Sequence, residues 1–273
     1  MKNLYTYGAQ PTQRLLTIKD LQDSKGKKRH SMATAINREE AEACAAAGID
    51  TISCDFDDYD EVRAGAPHSL IITALPPTQF TTNDDILRAG LSVMDRGSDG
   101  LYTCRGLSSI EILAKEGIGV MSHIGVNPRN STLYGGLKAL GKNVPSALEL
   151  QDRFRRLEDA GAFGVEVELI AGDTMAEINT RTNLVTFSIG AGGGADVIFL
   201  YTNDICGETE NPPRHAKAYG NLAAILKEAQ AERIKALSAF KEDILAGGFP
   251  EARHSGKVDA NVLAEIVTAL DIK

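Results

Sequence analysis

From His30 onward, short apolar runs alternate with amphipathic stretches of helical period. "HSMATAI" (30–36), "DTISCD" (50–55), "SLIITAL" (69–75), "GLYTC" (100–104), "GVMSHIG" (119–125), "FGVEVELI" (163–170) and "LVTFSIG" (184–190) predict strands, and "GAGGGADVIFLYTND" (190–204) holds one more behind a glycine run. Between them "NREEAEACAAAG" (37–48) opens on an Asn and stops at Gly, as a capped helix does. "NDDILRAGLSVMDRG" (83–97) starts on Asn83, with acids in the first turn where the helix dipole favours them. "SSIEILAKEG" (108–117), "SALELQDRFRRLEDAG" (146–161) and a stretch near 173–181 predict further helices.

Strand–helix alternation at this spacing implies parallel pairing. Eight strands close more readily into a (β/α)8 TIM barrel than they form an open sheet. The tail, 214–248 and 260–272, predicts extra C-terminal helices, and without a low-complexity linker or repeat the expectation is one domain over 1–273. Chemistry in such barrels gathers at the carboxyl ends of the strands. The polar residues expected there are Asp55, Cys104, His123, Glu166, Glu168, Ser188, Asn203 and Asp204. Glu166 and Glu168 alternate with Val165 and Val167, so both carboxylates share one face of their strand. Facing the lumen, they must be paired, hydrated or protonated, and their pKa rises; facing outward, they bond a neighbouring helix.

Composition narrows the class. A net charge of −8 argues against nucleic-acid or anionic-membrane partners. The one basic run, "KGKKRH" (25–30), reads as a solvated turn. No apolar run approaches the length of a membrane span, and the N-terminus lacks a secretion signal, so a cytoplasmic location is expected. Four cysteines without CxxC spacing indicate neither a zinc site nor a disulfide framework. "SIGAGGGAD" leads into a strand, so it is a poor dinucleotide fingerprint and fits a close-packed loop over a small ligand or a tight barrel connection. In "TISCDFDDYDEV" (51–62), Asp55 ends a strand, while Asp57, Asp58, Asp60 and Glu61 read as a solvated loop.

Several strings together resemble ketopantoate hydroxymethyltransferase: "SHIGVNPRNSTLYGGLKALGK" (122–142), "LEDAGAFGVEVELI", "FSIGAGGGADVIFLYTNDICG", "PPRHAKAYGNL" and "GGFPEARHS" (247–255). The likeness runs over about residues 12–255. It implies a barrel of the phosphoenolpyruvate mutase and isocitrate lyase superfamily, assembled as a homo-oligomer. It also implies a Mg²⁺ ion that binds a 2-oxo acid, a glutamate that forms the enolate, and methylenetetrahydrofolate as the one-carbon donor. Carried onto this chain, the resemblance makes Glu168 the base and His123 its strand-end partner. Asp55 falls on the first metal aspartate. Ala74 stands where the second metal aspartate is expected, Cys104 at the metal-associated glutamate and Tyr102 at the substrate lysine. Phe56 replaces a serine, and a loop after Asp55 is shortened.

One carboxylate of three is a poor site for Mg²⁺, which demands hard oxygen ligands. Cys104 is too soft a replacement. The expected set is therefore Glu168 and His123 as catalytic residues, Asp55 as the remaining metal ligand, and Asp55, Tyr102, Cys104, Arg105 and Ser188 around the substrate. Arg105 and Arg129 are candidate carboxylate clamps. The activity implied is one-carbon transfer to a small 2-oxo acid. The alternatives are a superfamily lyase or aldolase acting on another carboxylate, and a non-catalytic metabolite-binding descendant.

Overall fold

The computed structural model describes residues 1–271. The chain falls into two compact units, Met1–Gly220 and Asn221–Lys273. In the first, β1 (Lys2–Tyr5) and β2 (Pro11–Arg14) form an antiparallel hairpin ahead of α1 (Ile18–Ser24). Eight parallel strands follow: β3 (His30–Thr34), β4 (Thr51–Asp55), β5 (Leu70–Ala74), β6 (Gly100–Tyr102), β7 (Val120–Gly125), β8 (Gly164–Glu168), β9 (Val185–Ile189) and β10 (Val197–Leu200). They close into a barrel in chain order, β10 pairing with β3. The (β/α)8 expectation holds, and the strand boundaries agree to within two residues.

Helices α2 (Arg38–Ala47), α3 (Tyr59–Gly65), α4 (Asn83–Asp95) and α5 (Leu107–Lys115) follow the first four barrel strands. The short α6 (Ser131–Tyr134) and the long α7 (Val144–Asp159) follow β7, α8 (Gly172–Asn179) follows β8, and α9 (Thr202–Cys206) follows β10. No helix separates β9 from β10. The glycine run is a tight barrel connection: a Cβ on Gly194 would lie 2.6 Å from the Ala176 Cβ of α8, and one on Gly192 would lie 2.9 Å from Gly172.

Alternation along the strands builds two apolar layers. Inside lie Leu21, Met32, Leu70, Ile72, Met121, Val185, Phe187, Val197 and Phe199. Outside, beneath the helices, lie Ile52, Ile71, Leu101, Val120, Ile124, Val165 and Val167, with Phe154 and Leu157 of α7. The seam between first and last strands is closed by polar bonds. Lys25 Nζ donates to Asp196 Oδ2 at 2.8 Å and to Asn179 Oδ1 at 2.6 Å, while Thr186 N donates to Asp196 Oδ2 at 3.0 Å. Lys25 is thus a clasp, not part of a solvated turn; its long stem lets the ammonium reach past the exposed neighbours. Asp99 likewise ties the hairpin to the barrel, taking Arg14 Nε at 2.7 Å and Arg63 Nη2 at 2.6 Å.

Two local expectations change. The acidic stretch after Asp55 is a turn at Asp57 and Asp58 but helical from Tyr59: α3 carries Asp60 and Glu61 in its first turn, where the dipole favours them, and buries Tyr59 and Val62. The run is too short for its period to stand out in the sequence. Helix α4 is capped by Thr82, not Asn83, because Thr82 accepts from Asp85 N while the Asp85 side chain returns to the Thr82 N–H.

In the second unit, α10 (Leu222–Ala246) and α11 (Ala260–Leu270) are the extra C-terminal helices. The residues 214–221 expected to begin α10 are irregular. Large apolar side chains of both helices are exposed, among them Leu237, Phe240, Leu245, Leu263 and Leu270. No helix of the described residues is long and apolar enough to cross a membrane.

Candidate active site

Inward-facing positions near the carboxyl ends of β6, β7 and β8 carry Tyr102, His123, Glu166 and Glu168. Parallel register sets His123 beside Glu166 and Gly125 beside Glu168. His123 Nε2 lies 3.2 Å from Glu168 Oε2 and 3.9 Å from Glu166 Oε1. Tyr102 Oη donates to Glu166 Oε1 at 3.3 Å. Both carboxylates therefore face the lumen.

This environment acts on Glu166. Burial, opposed by His123 but reinforced by Glu168, pushes Glu166 up to about 7. The Tyr102 hydroxyl is held well above its ordinary value, first by burial and then by Glu166. Tyr201, next after β10, is pushed up to about 12 by burial and by the charges of Glu166, Glu168 and Asp55. Tyr201 is thus a neighbour of the cluster that the sequence reading did not single out. Its alternation with Phe199 and Val197, both in the inner layer, was the available signal.

Backbone geometry fixes Glu168. Gly125 has φ +118, and a Cβ there would lie 1.9 Å from the Glu168 carbonyl oxygen, which accepts from Val126 N at 3.0 Å. Leu169, directly after Glu168, is left-handed at φ +51. A leucine adopts that conformation only where its surroundings impose it. Hydrogen bonds on either side, Leu169 N to Ile189 O and Leu140 N to Leu169 O, supply the constraint.

The other expected residues distribute unevenly. Asp55 ends β4 at the exposed mouth, its carboxyl raised by desolvation and by Asp57. Ala74 pairs beside it on β5 and offers no ligand atom. Cys104 is half-buried, and its Sγ is contacted by Arg129 Nη2. Arg105 donates Nη1 to the Phe80 carbonyl at 3.0 Å. Ser188 stands apart from the cluster, on the opposite face of β9 from Phe187 and Ile189, and donates to the Gly192 carbonyl at 2.8 Å. Asn203 and Asp204 lie on α9, where Asp204 bonds Thr209. Phe56 stacks edge-on to Phe80 at 5.1 Å and beneath Arg96 at 4.8 Å, so it packs the mouth.

These positions bear on metal binding. The ring of Asp55, Ala74 and Cys104 keeps one hard oxygen side chain and does not fit Mg²⁺. The ligand atoms that do converge, within 4.8 Å of one another, belong to His123, Glu166 and Glu168. One imidazole nitrogen with two carboxylate oxygens suits a divalent ion with nitrogen affinity better than Mg²⁺.

The family model for ketopantoate hydroxymethyltransferase matches residues 56–252. The 3-methyl-2-oxobutanoate hydroxymethyltransferase of Pyrobaculum calidifontis is 27% identical over 266 residues, covering 88% of this chain and 98% of its own. That of Pyrobaculum aerophilum is 32% identical over 197 residues, covering 71% and 72%. Among solved structures, 2,3-dimethylmalate lyase, a phosphoenolpyruvate mutase/isocitrate lyase superfamily member, matches 94% of this chain and 98% of its own at TM-score 0.51 and 13% identity. At that identity the likeness concerns the fold alone.

Proposed function

The chain belongs to the ketopantoate hydroxymethyltransferase family and is an enzyme; on that premise we propose that it transfers a one-carbon unit to a small 2-oxo acid through an enolate. The observation that carries the reading is the Glu168 carboxylate in the lumen, 3.2 Å from His123 Nε2 and beside a second carboxyl, Glu166, that burial pushes up to about 7.

Glu168 takes the proton from the carbon next to the substrate carbonyl, and His123 orients its carboxylate. As charge moves to the carbonyl oxygen, the protonated form of Glu166, held in place by Tyr102 Oη, is the nearby donor that stabilises it. The enolate carbon then bonds to the methylene of methylenetetrahydrofolate as that carbon's bond to one folate nitrogen breaks, and this nitrogen takes up the proton held by Glu168. Water next replaces the second folate nitrogen on the same carbon and gives that nitrogen a proton, leaving a hydroxymethyl group and tetrahydrofolate. Asp55, Arg105 and the Cys104–Arg129 pair stand at the mouth as substrate-side groups.

No step is routed through Mg²⁺, because Ala74 and Cys104 do not supply its ligands. An ion held by His123, Glu166 and Glu168 would occupy the base, so enolisation belongs to the ion-free cluster. A cytoplasmic homo-oligomer accords with this reading, supported by the exposed apolar side chains of α10 and α11.

A second reading, a carbon–carbon lyase of the same superfamily, is favoured by the second carboxyl: a Glu166 raised to about 7 suits protonation of a leaving enolate. Incubation of the enzyme with 3-methyl-2-oxobutanoate and methylenetetrahydrofolate, followed by mass spectrometry, separates the two. The transferase reading expects the hydroxymethylated 2-oxo acid. No such product, with cleavage of hydroxylated 2-oxo acids instead, would select the lyase.

A further inference from the structure

A concavity opens from the catalytic His123 and the mouth residue Cys104 outward between the start of α5 and the flank of α7. It has a volume of about 250 Å³. Arg105 lines it from the β6–α5 loop, and Arg153 and Arg156 line it from α7. No aspartate or glutamate does.

None of these three guanidinium groups forms an ion pair among the described residues, in a chain whose net charge is −8. Their neighbour Arg155 shows the ordinary alternative: it pairs with Asp152 at 2.9 Å and Asp159 at 3.0 Å. Acids are therefore within reach of this helix but are absent from the cleft. The last-turn position of Arg156 complements the α7 dipole, which accounts for that residue alone. Arg153 lies in mid-helix, and Arg105 is held over the cleft through the Phe80 carbonyl and Ser109 Oγ. Gly106, which starts α5 without a side-chain cap, also borders the space and adds the positive end of that helix.

Like charges gathered in one concavity repel until an anion joins them, and planar guanidinium matches phosphate and carboxylate bidentately. We infer that the cleft lined by Arg105, Arg153 and Arg156 is an anion-binding site for a dianionic group, either a phosphate monoester or the paired carboxylates of a dicarboxylic acid. The cleft meets the catalytic cluster at His123 and shares Cys104 and Arg105 with its mouth, so this site deepens the proposed function and rests on that reading, while anion binding itself is read without turnover.

Calorimetric titration of the full chain with inorganic phosphate and with glutarate tests it. Saturable binding of at least one anion, with Kd of about 1 mM or tighter, is expected. The tighter of the two identifies the source, phosphate ester or dicarboxylate. Combining Arg153→Gln with Arg156→Gln should weaken binding at least about tenfold, each lost charged contact being worth a factor of that order. Arg155→Gln should leave it unchanged. Independently of any variant, the bound anion should protect Arg153 and Arg156, but not Arg155, from phenylglyoxal. The inference is overturned if neither anion binds saturably, if the double variant binds like the parent, or if all three arginines are labelled equally.

Discussion

Glu166 and Glu168 lie two residues apart on one face of β8, yet differ in what surrounds them. Glu168 has the imidazole at 3.2 Å; Glu166 has a neutral phenol and a like charge beside it. A carboxyl raised in the fold favours the protonated form, so its stabilising contribution is full below its unfolded value of 4.5 and is lost as pH rises through about 7. Glu166→Gln should remove that loss. Chemical denaturation across this range should find the variant gaining on the parent with rising pH, by up to roughly 3 kcal/mol at the alkaline end. A constant difference would place Glu166 in water. The shared strand face of these carboxylates was legible from alternation with Val165 and Val167. For Tyr201 the alternation with Val197 and Phe199 marked the inner face, but its nearness to Glu166 follows only from the closed strand order that sets β10 two strands from β8.

At the scale of elements, two junctions hold the site. Gly125 and the left-handed Leu169 set where β7 and β8 end, and an alanine at 125 would collide with the Glu168 carbonyl. Gly125→Ala is expected to lower kcat by about a hundredfold, since displacement of about 1 Å is enough to do so, and to depress the thermal midpoint. Activity within a few-fold of the parent would show that β8 yields without moving Glu168. At the opposite end, burial alone would raise Asp196, but bonds from Lys25, Thr186 and Asn179 more than offset it and hold its carboxyl below the usual range. Lys25→Met should therefore destabilise the fold by about 3 kcal/mol at neutral pH, the order found when a buried charge loses its partner. The penalty should shrink as acid protonates Asp196, which urea titrations at neutral and acid pH would measure. The long strands and helices were readable in the sequence because each carries several turns or alternations. Helix α3 and the Lys25 clasp were not: one is two turns long, and the other joins residues 171 positions apart.

For the whole molecule, the barrel was legible from eight apolar runs, and two sets of charged groups meet at its carboxyl end. The lumen gathers acids and phenols, whereas the cleft that meets it at His123 gathers guanidinium groups. The sequence marked Arg105 and Arg129 but not Arg153 and Arg156, which fall within a predicted helix and face Arg105 only once α7 is set against α5. The remodelled strand ends make a further expectation about the entire enzyme. Calorimetry should find no Mg²⁺ binding tighter than about 1 mM, while Zn²⁺ should bind His123, Glu166 and Glu168 and suppress turnover. Micromolar Mg²⁺ affinity would show that Asp55 recruits ligands from elsewhere.

Glu168-driven enolisation is tested most directly without the one-carbon donor. In deuterated buffer, 3-methyl-2-oxobutanoate should exchange its C3 proton in the presence of the enzyme, followed by proton NMR as loss of the methine signal. Glu168→Gln should reduce this rate by at least about a hundredfold, the usual contribution of a positioned base. An unchanged exchange rate in Glu168→Gln would contradict the account.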